Sequence, residues 1–203
     1  MPVVGTRANA SVRGYGWSSL VGESLDGMVL MKPTSVVSTG SSNLSIIEAN
    51  GSVTFLSCAT LSLNGVFTAD YDHYLIVSRL TSEAVTSANL RYRMRASGSD
   101  NATTSSYTIQ EFRVSGTAET AVRATGTFGE LTHASISNQN GMTAYIFGPY
   151  LSVPTVIRTT GRNSFPMDDF ATSHNQSNSY DGITIYPSSS SITGTISVYG
   201  LED

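Results

Sequence analysis

From Met28 onward the chain alternates short apolar runs with clusters of turn residues, at the spacing of an antiparallel sandwich or barrel. The runs predict strands at Met28–Met31, Leu44–Ile47, Val53–Ser57, Thr60–Leu63, Tyr74–Leu80 and Leu90–Ala96. Further runs predict Tyr107–Val114, Ala121–Thr127, Thr143–Phe147, Val156–Thr160, Ile183–Tyr186 and Thr195–Tyr199. The clearest alternation puts Leu90, Tyr92, Met94 and Ala96 on one face and Arg91, Arg93 and Arg95 on the other; Ile183 and Ile185 stand opposite Thr184 and Tyr186. No segment offers three turns of helical periodicity. Asn50-Gly51, Asn64-Gly65, Asn140-Gly141 and Asp181-Gly182 accept positive φ and read as hairpin signals. Pro149, Pro154, Pro166 and Pro187 fall between the runs, where a missing N–H does least damage to a ladder.

Residues 1–26 lack this periodicity. They combine small residues with Arg13, Tyr15 and Trp17, side-chain types enriched at protein–protein hot spots, beside glycines that let a backbone lie against another surface. The segment reads as an N-terminal docking arm, or else as a disordered tail or an aromatic pair packed on its own domain. Residues 27–203 read as one all-β domain, an antiparallel β-sandwich.

Composition sharpens this picture. Only 13% of the 203 residues are charged, about half the usual quarter, and 32 Ser, 24 Thr and 18 Gly take their place. Thr favours strands, and a single Lys, Lys32, leaves little material for exposed helix faces. A net charge of −4 with scattered arginines offers no electrostatic footprint for nucleic acid or anionic lipid. No run of 18 apolar residues and no charged-then-apolar leader occurs, so neither membrane insertion nor cleaved secretion is expected. Cys58 stands alone and reads as a small core residue. The absence of heptads and of fibre or propeller repeats leaves no shaft, so a role in a fibre would be that of a tip or knob.

Candidate chemistry is sparse. Asp70, Asp72 and His73 could ligate a metal or share a proton only if a turn made them converge, and the favoured reading is a plain turn into Tyr74–Leu80. Asp168, Asp169 and His174 form a second cluster, between Pro166 and a polar Asn/Ser run, in what reads as an exposed loop continuing through Asn175 to Tyr180. No Gly-x-Ser-x-Gly elbow or dinucleotide fingerprint is present, and nothing shifts a carboxylate toward acid–base work; no enzyme, cofactor or metal is expected. The Arg91, Arg93, Arg95 face could hold a phosphate or a sulfated glycan, or pair with carboxylates of a neighbouring strand or subunit. Tyr145, Phe147, Tyr150, Tyr180, Tyr186 and Tyr199 could stack on sugars or fill a core.

The segment running from Val53 to Tyr74, with Asn64-Gly65-Val66-Phe67 and Tyr71-Asp72-His73-Tyr74, resembles a stretch common in small virion proteins of tailed bacteriophages. Leu90-Arg91-Tyr92-Arg93-Met94-Arg95 with its exit turn, the arm from Ala10 to Trp17, and the ending Ile192-Thr193-Gly194-Thr195-Ile196-Ser197-Val198-Tyr199-Gly200 resemble the same proteins, in order along most of the chain. The resemblance implies a jelly-roll-like sandwich, usually a homotrimer, on the exterior of a virion after synthesis in the bacterial cytoplasm. The expected function is an accessory structural protein, a capsid decoration protein whose arm meets the major capsid protein. The alternative is a tail fibre or receptor-binding tip, contacting tail proteins and recognising host surface glycan through Asp168, Asp169, His174, Asn175 and Tyr180.

Overall fold

The computed structural model describes residues 27–40, 44–83, 88–134, 139–162 and 167–202. Arg13, Tyr15 and Trp17, with the rest of the expected arm, lie outside the described residues. In chain order the strands are β1 (Met28–Met31), β2 (Ser35–Thr39), β3 (Leu44–Ile47), β4 (Val53–Cys58), β5 (Thr60–Asn64), β6 (His73–Ser82), β7 (Ala88–Ala96) and β8 (Ser99–Asp100). They continue as β9 (Tyr107–Ser115), β10 (Ala118–Gly126), β11 (Gly129–Ala134), β12 (Asn140–Phe147), β13 (Thr155–Arg162), β14 (Met167–His174), β15 (Gly182–Pro187) and β16 (Ile192–Leu201).

These strands form two antiparallel sheets packed as a sandwich. The larger has ten strands, ordered β10-β9-β14-β13-β12-β6-β16-β4-β3 with β1 also on β16; the smaller has six, ordered β11-β7-β15-β5-β2 with β8 on β7. β16 is inserted between β6, matched along its whole length from Ile192↔Ser82 to Leu201↔His73, and β4. The strict alternation of β7 makes Leu90, Tyr92 and Met94 core residues, and they face Tyr74, Ile76, Ala144 and Ile146 of the large sheet in one apolar cluster. Fully burying such a side chain stabilises the fold by about 1.5–3 kcal/mol. Tyrosines bring hydroxyls into this core, and three of them are met as follows. Tyr92 Oη lies 2.8 Å from Thr172 Oγ1, Tyr107 Oη donates to the Asn101 carbonyl at 2.8 Å, and Tyr74 Oη donates to the Thr68 carbonyl at 2.9 Å. Cys58 is buried as expected, and burial pushes its thiol above the ordinary range.

The turn signals need correction. Asn50-Gly51 does close a hairpin, between β3 and β4, with Gly51 at φ 98°. Asn140-Gly141 instead opens β12, where Asn140 pairs with Leu80, and Asp181-Gly182 leads into β15. A Cβ at Gly182 would lie 2.3 Å from the Leu63 carbonyl oxygen, so this glycine serves close strand approach rather than a turn. The β7–β8 hairpin turns on Ser97-Gly98, both at positive φ as a type I′ turn requires. Strands β2, β8, β11 and β14 had no counterpart in the apolar pattern.

At Gly194 the β16–β4 register shifts, and a Cβ there would lie 2.2 Å from the Arg79 carbonyl oxygen. Gly194→Ala is therefore expected to lower unfolding free energy by about 1–3 kcal/mol in urea titrations. Gly141→Ala, where a Cβ would meet nothing within 4 Å, is expected to be neutral or slightly stabilising. Equal effects of the two substitutions would refute the packing argument.

Candidate functional site

Residues directly opposed in antiparallel strands share a face, so the registers map the outer face of the large sheet. One row reads Arg123–Gln110–Ala171–Arg158–Tyr145–Leu75 from β10 to β6. The next reads Ala121–Phe112–Asp169–Thr160–Thr143–Val77. Small Ala171 between longer neighbours leaves a trough. Its two adjoining hollows, of about 480 and 290 Å³, share Gln110, Arg123 and Ala171. Arg158 Nη2 meets Asp169 Oδ2 at 2.7 Å beside it. This pair is solvent-exposed, and such pairs add about 0–1 kcal/mol.

Phe112, Tyr145 and Phe147 are exposed on the same face. The Tyr145 and Phe147 rings stack 6.4 Å apart at 19°, with His73 against Phe147 at 5.3 Å. The aromatic candidates thus divide. Tyr145, Phe147 and half-buried Tyr199 lie on this face, Tyr150 is exposed in the segment after β12, Tyr180 is core, and Tyr186 is half-buried on the small sheet.

On the inner face the apolar core gives way to ions at the β9–β14 end. Glu111 and Arg113 project inward from β9, Asp168 stands opposite Arg113 on β14, and His133 reaches in from β11. His133 Nδ1 lies 3.1 Å from Asp168 Oδ2 and 3.8 Å from Glu111 Oε1. Arg113 pairs closely with Glu111 and places Nε 3.4 Å from Asp168 Oδ1. Its Nη2 also abuts His133 Nε2. The tautomer inferred from these partners has Nδ1–H donating to Asp168 and Nε2 accepting from the guanidinium. The histidine and carboxylate ligand atoms lie within 4.8 Å of one another, a spacing that would suit a metal, but the guanidinium already supplies positive charge among them. Sequence reasoning missed this group because its members come from three separated strands. The one local signal was Glu111 and Arg113 two apart in a strand.

The proposed loop cluster is corrected. Residues Met167–His174 form β14, inside the large sheet between β13 and β9. Asp168 and His174 are buried, Asp169 points outward to Arg158, and Asp168 and His174 are six residues, about 20 Å, apart along the strand. The loop reading failed because the inward set, Asp168, Phe170, Thr172 and His174, is mostly polar and hid the alternation. His174 stacks on Tyr107 at 4.2 Å, and its Nε2 meets Tyr180 Oη at 2.6 Å; Asn101 Nδ2 donates to the same hydroxyl at 2.9 Å. Tyr180 therefore anchors the segment after β14 from beneath, while Asn175 is exposed on it.

Asp70 and Asp72 are exposed in the turn before β6, where Thr68 Oγ1 donates to Asp70 Oδ2 at 3.1 Å, and they do not gather with His73. The arginine face is knitted within the chain. Arg91 pairs with Glu130 at 3.4 Å and lies over the Phe128 ring, Arg93 Nε donates to the Thr127 carbonyl at 3.1 Å, and Arg95 pairs with Asp100 and donates to Asn64 Oδ1 at 2.7 Å.

No family model matches the chain, and no curated protein matches it. Among solved structures, the catalytic domain of PdAgaC is similar at 10% identity over 88% of this chain and 77% of that one, with a TM-score of 0.23, too weak a likeness to support an inference.

Two outcomes test the inner face. Arg113→Ala leaves the Glu111 and Asp168 carboxylates buried with only His133, and is expected to cost about 3–5 kcal/mol of unfolding free energy; a loss below 1 kcal/mol would show that the group does not brace the sandwich. Burial also pushes the His174 imidazole below its ordinary range, partly opposed by a Ser106 backbone hydrogen bond. The folded protein thus disfavours the charged ring, so its contribution is full above the unfolded value of about 6.5 and is lost as pH falls below it. The urea midpoint should drop below that pH, and His174→Gln should flatten the drop; an unchanged pH slope would assign the dependence to another group.

Proposed function

We propose that this chain is an accessory structural protein carried on the exterior of a tailed-phage particle, as a capsid decoration protein. The observation that supports this most directly is an apolar end of the large sheet. Leu44 and Leu56 are a cross-strand pair on β3 and β4, Ile46 lies beside them on the same outer face, and each is about half exposed. Contiguous exposed aliphatics of this kind mark protein–protein contact surfaces. The low charge of the chain suits such contacts, since interface cores are depleted in charged residues.

The structural reading is favoured over a catalytic one because Glu111, His133 and Asp168 are buried and ion-paired with Arg113 and each other. Binding only to an assembled shell would stabilise that shell by mass action. A second reading, a receptor-binding tip that recognises host glycan, has the outer trough and the exposed Tyr145–Phe147 pair in its favour, since aromatic faces beside amide and guanidinium groups suit sugars.

Quantifying this chain in purified particles decides between the two. Hundreds of copies per particle are expected for decoration, whereas a few to a few dozen would favour the tail, and absence from particles would overturn both. Arg13→Ala combined with Trp17→Ala is expected to reduce incorporation; unchanged incorporation would refute the docking arm.

A further inference from the structure

β10 ends the large sheet, and every residue from Ala118 to Thr125 is exposed. Its inward partner is β9, in an unbroken register from Ala118↔Ser115 to Gly126↔Tyr107. Among the described residues no strand pairs with its other side. Natural edge strands are commonly blunted by proline, charged side chains and lysine above all, a bulge, short length or a covering element, and the charges of β10 are one of each sign, Glu119 and Arg123. β10 is nine residues long, contains neither proline nor lysine, and has no break in its register.

Its charges are arranged symmetrically. Glu119 and Arg123 are four residues apart, hence on one face, with Ala121 midway between them. Neither makes an ion pair among the described residues. An antiparallel pairing of β10 with a second β10 about a two-fold axis at Ala121 sets Glu119 of each chain opposite Arg123 of the other. The neighbouring pairs are then Thr120 with Val122 and Ala118 with Ala124, all small or β-branched. A dyad at Glu119 or at Arg123 would oppose like charges, and one at Thr120 or Val122 would leave both ions without a cross-strand partner. Only the Ala121 axis satisfies both charges, twice over.

We propose that β10 is a self-association edge, and that two copies of this chain join there in the register that places Ala121 against Ala121 of the second copy. The partner's chemistry is thus a second β10, and the joined sheets form one continuous sheet across the dyad. This pairing does not rest on the phage reading. It also leaves the other end of the sheet free, since β3 and β10 lie at opposite ends.

The test exploits the buried state of Cys58, which leaves an introduced thiol as the exposed one among the described residues. Ala121→Cys puts two cysteines opposite each other on the axis, within disulfide reach of about 4.5–5.5 Å between Cα atoms. Under oxidation it is expected to give a covalent dimer, at twice the 21.5 kDa chain mass on a denaturing gel. Thr125→Cys should not, because in this register its own copy lies about 27 Å away along the strand. Equal cross-linking by the two variants, or none from Ala121→Cys with an accessible thiol, would overturn the proposal. In light scattering, Arg123→Glu alone and Glu119→Arg alone are each expected to weaken association about tenfold, from two opposed like-charge pairs. The double exchange should restore it. Failure of the double exchange to restore association, with unchanged thermal unfolding, would equally overturn it.

Discussion

The small sheet is narrower than the large one, and much of the molecule follows from that mismatch. Its last strand, β11, packs over β13, β14 and part of β9, and no described strand of the small sheet packs over β10 as β11 does over those. The apolar core runs from β4 across to the Tyr107 end of β9, and toward the other end of β9 and β14 Asp168, Glu111, Arg113 and His133 take over from hydrocarbon. A group this close to the rim must satisfy charges that water can only partly reach, and it does so by mutual pairing across three strands. Beyond it the β9–β10 hairpin projects with both faces wet along most of β10, which is why that strand carries alanine, threonine and a balanced pair of charges instead of an apolar face.

The scarcity of charge has a structural counterpart. Arg91, Arg95, Arg113 and Arg158 each meet a carboxylate within the chain. Hydroxyls take over the stitching elsewhere. Ser62 meets Thr184 at 2.8 Å inside the small sheet, Ser52 meets Ser197 at 2.9 Å in the large one, and Ser38 and Ser45 join the two sheets at 3.0 Å. The Ser and Thr abundance is thus partly a set of cross-strand hydrogen bonds.

Where one face of a strand is apolar, the chain declared itself in its sequence. β7 and β15 read directly from alternation, and the pairing of the Arg91 and Arg95 face with carboxylates was one of two readings open there. The failures have two causes. In β14 the buried face is polar, so Asp168 and His174 looked like loop residues. In β11, Gly129-Glu130-Leu131-Thr132-His133-Ala134 is buried on both faces, leaving no period to detect. Asp181-Gly182 misled because glycine answers to close approach as well as to positive φ, and Gly182 sits in a strand against the Leu63 carbonyl; Gly141 also sits in a strand, with open space around it. The ionic group was not legible because proximity between residues 111, 133 and 168 exists only once the sheets have closed.

The place of β16 has a consequence in time. It is made after every other described strand, yet it fills the gap between β6 and β4 near the middle of the large sheet. Loop closure of this range is slow, because the entropy of bringing the ends together must be overcome before the contacts form. Until Ile192–Leu201 has left the ribosome, β6 and β4 both present open ladders and the core has no wall on that side. A copy lacking Ile192–Leu201 would keep two open edges in the large sheet, each a template for pairing with another chain.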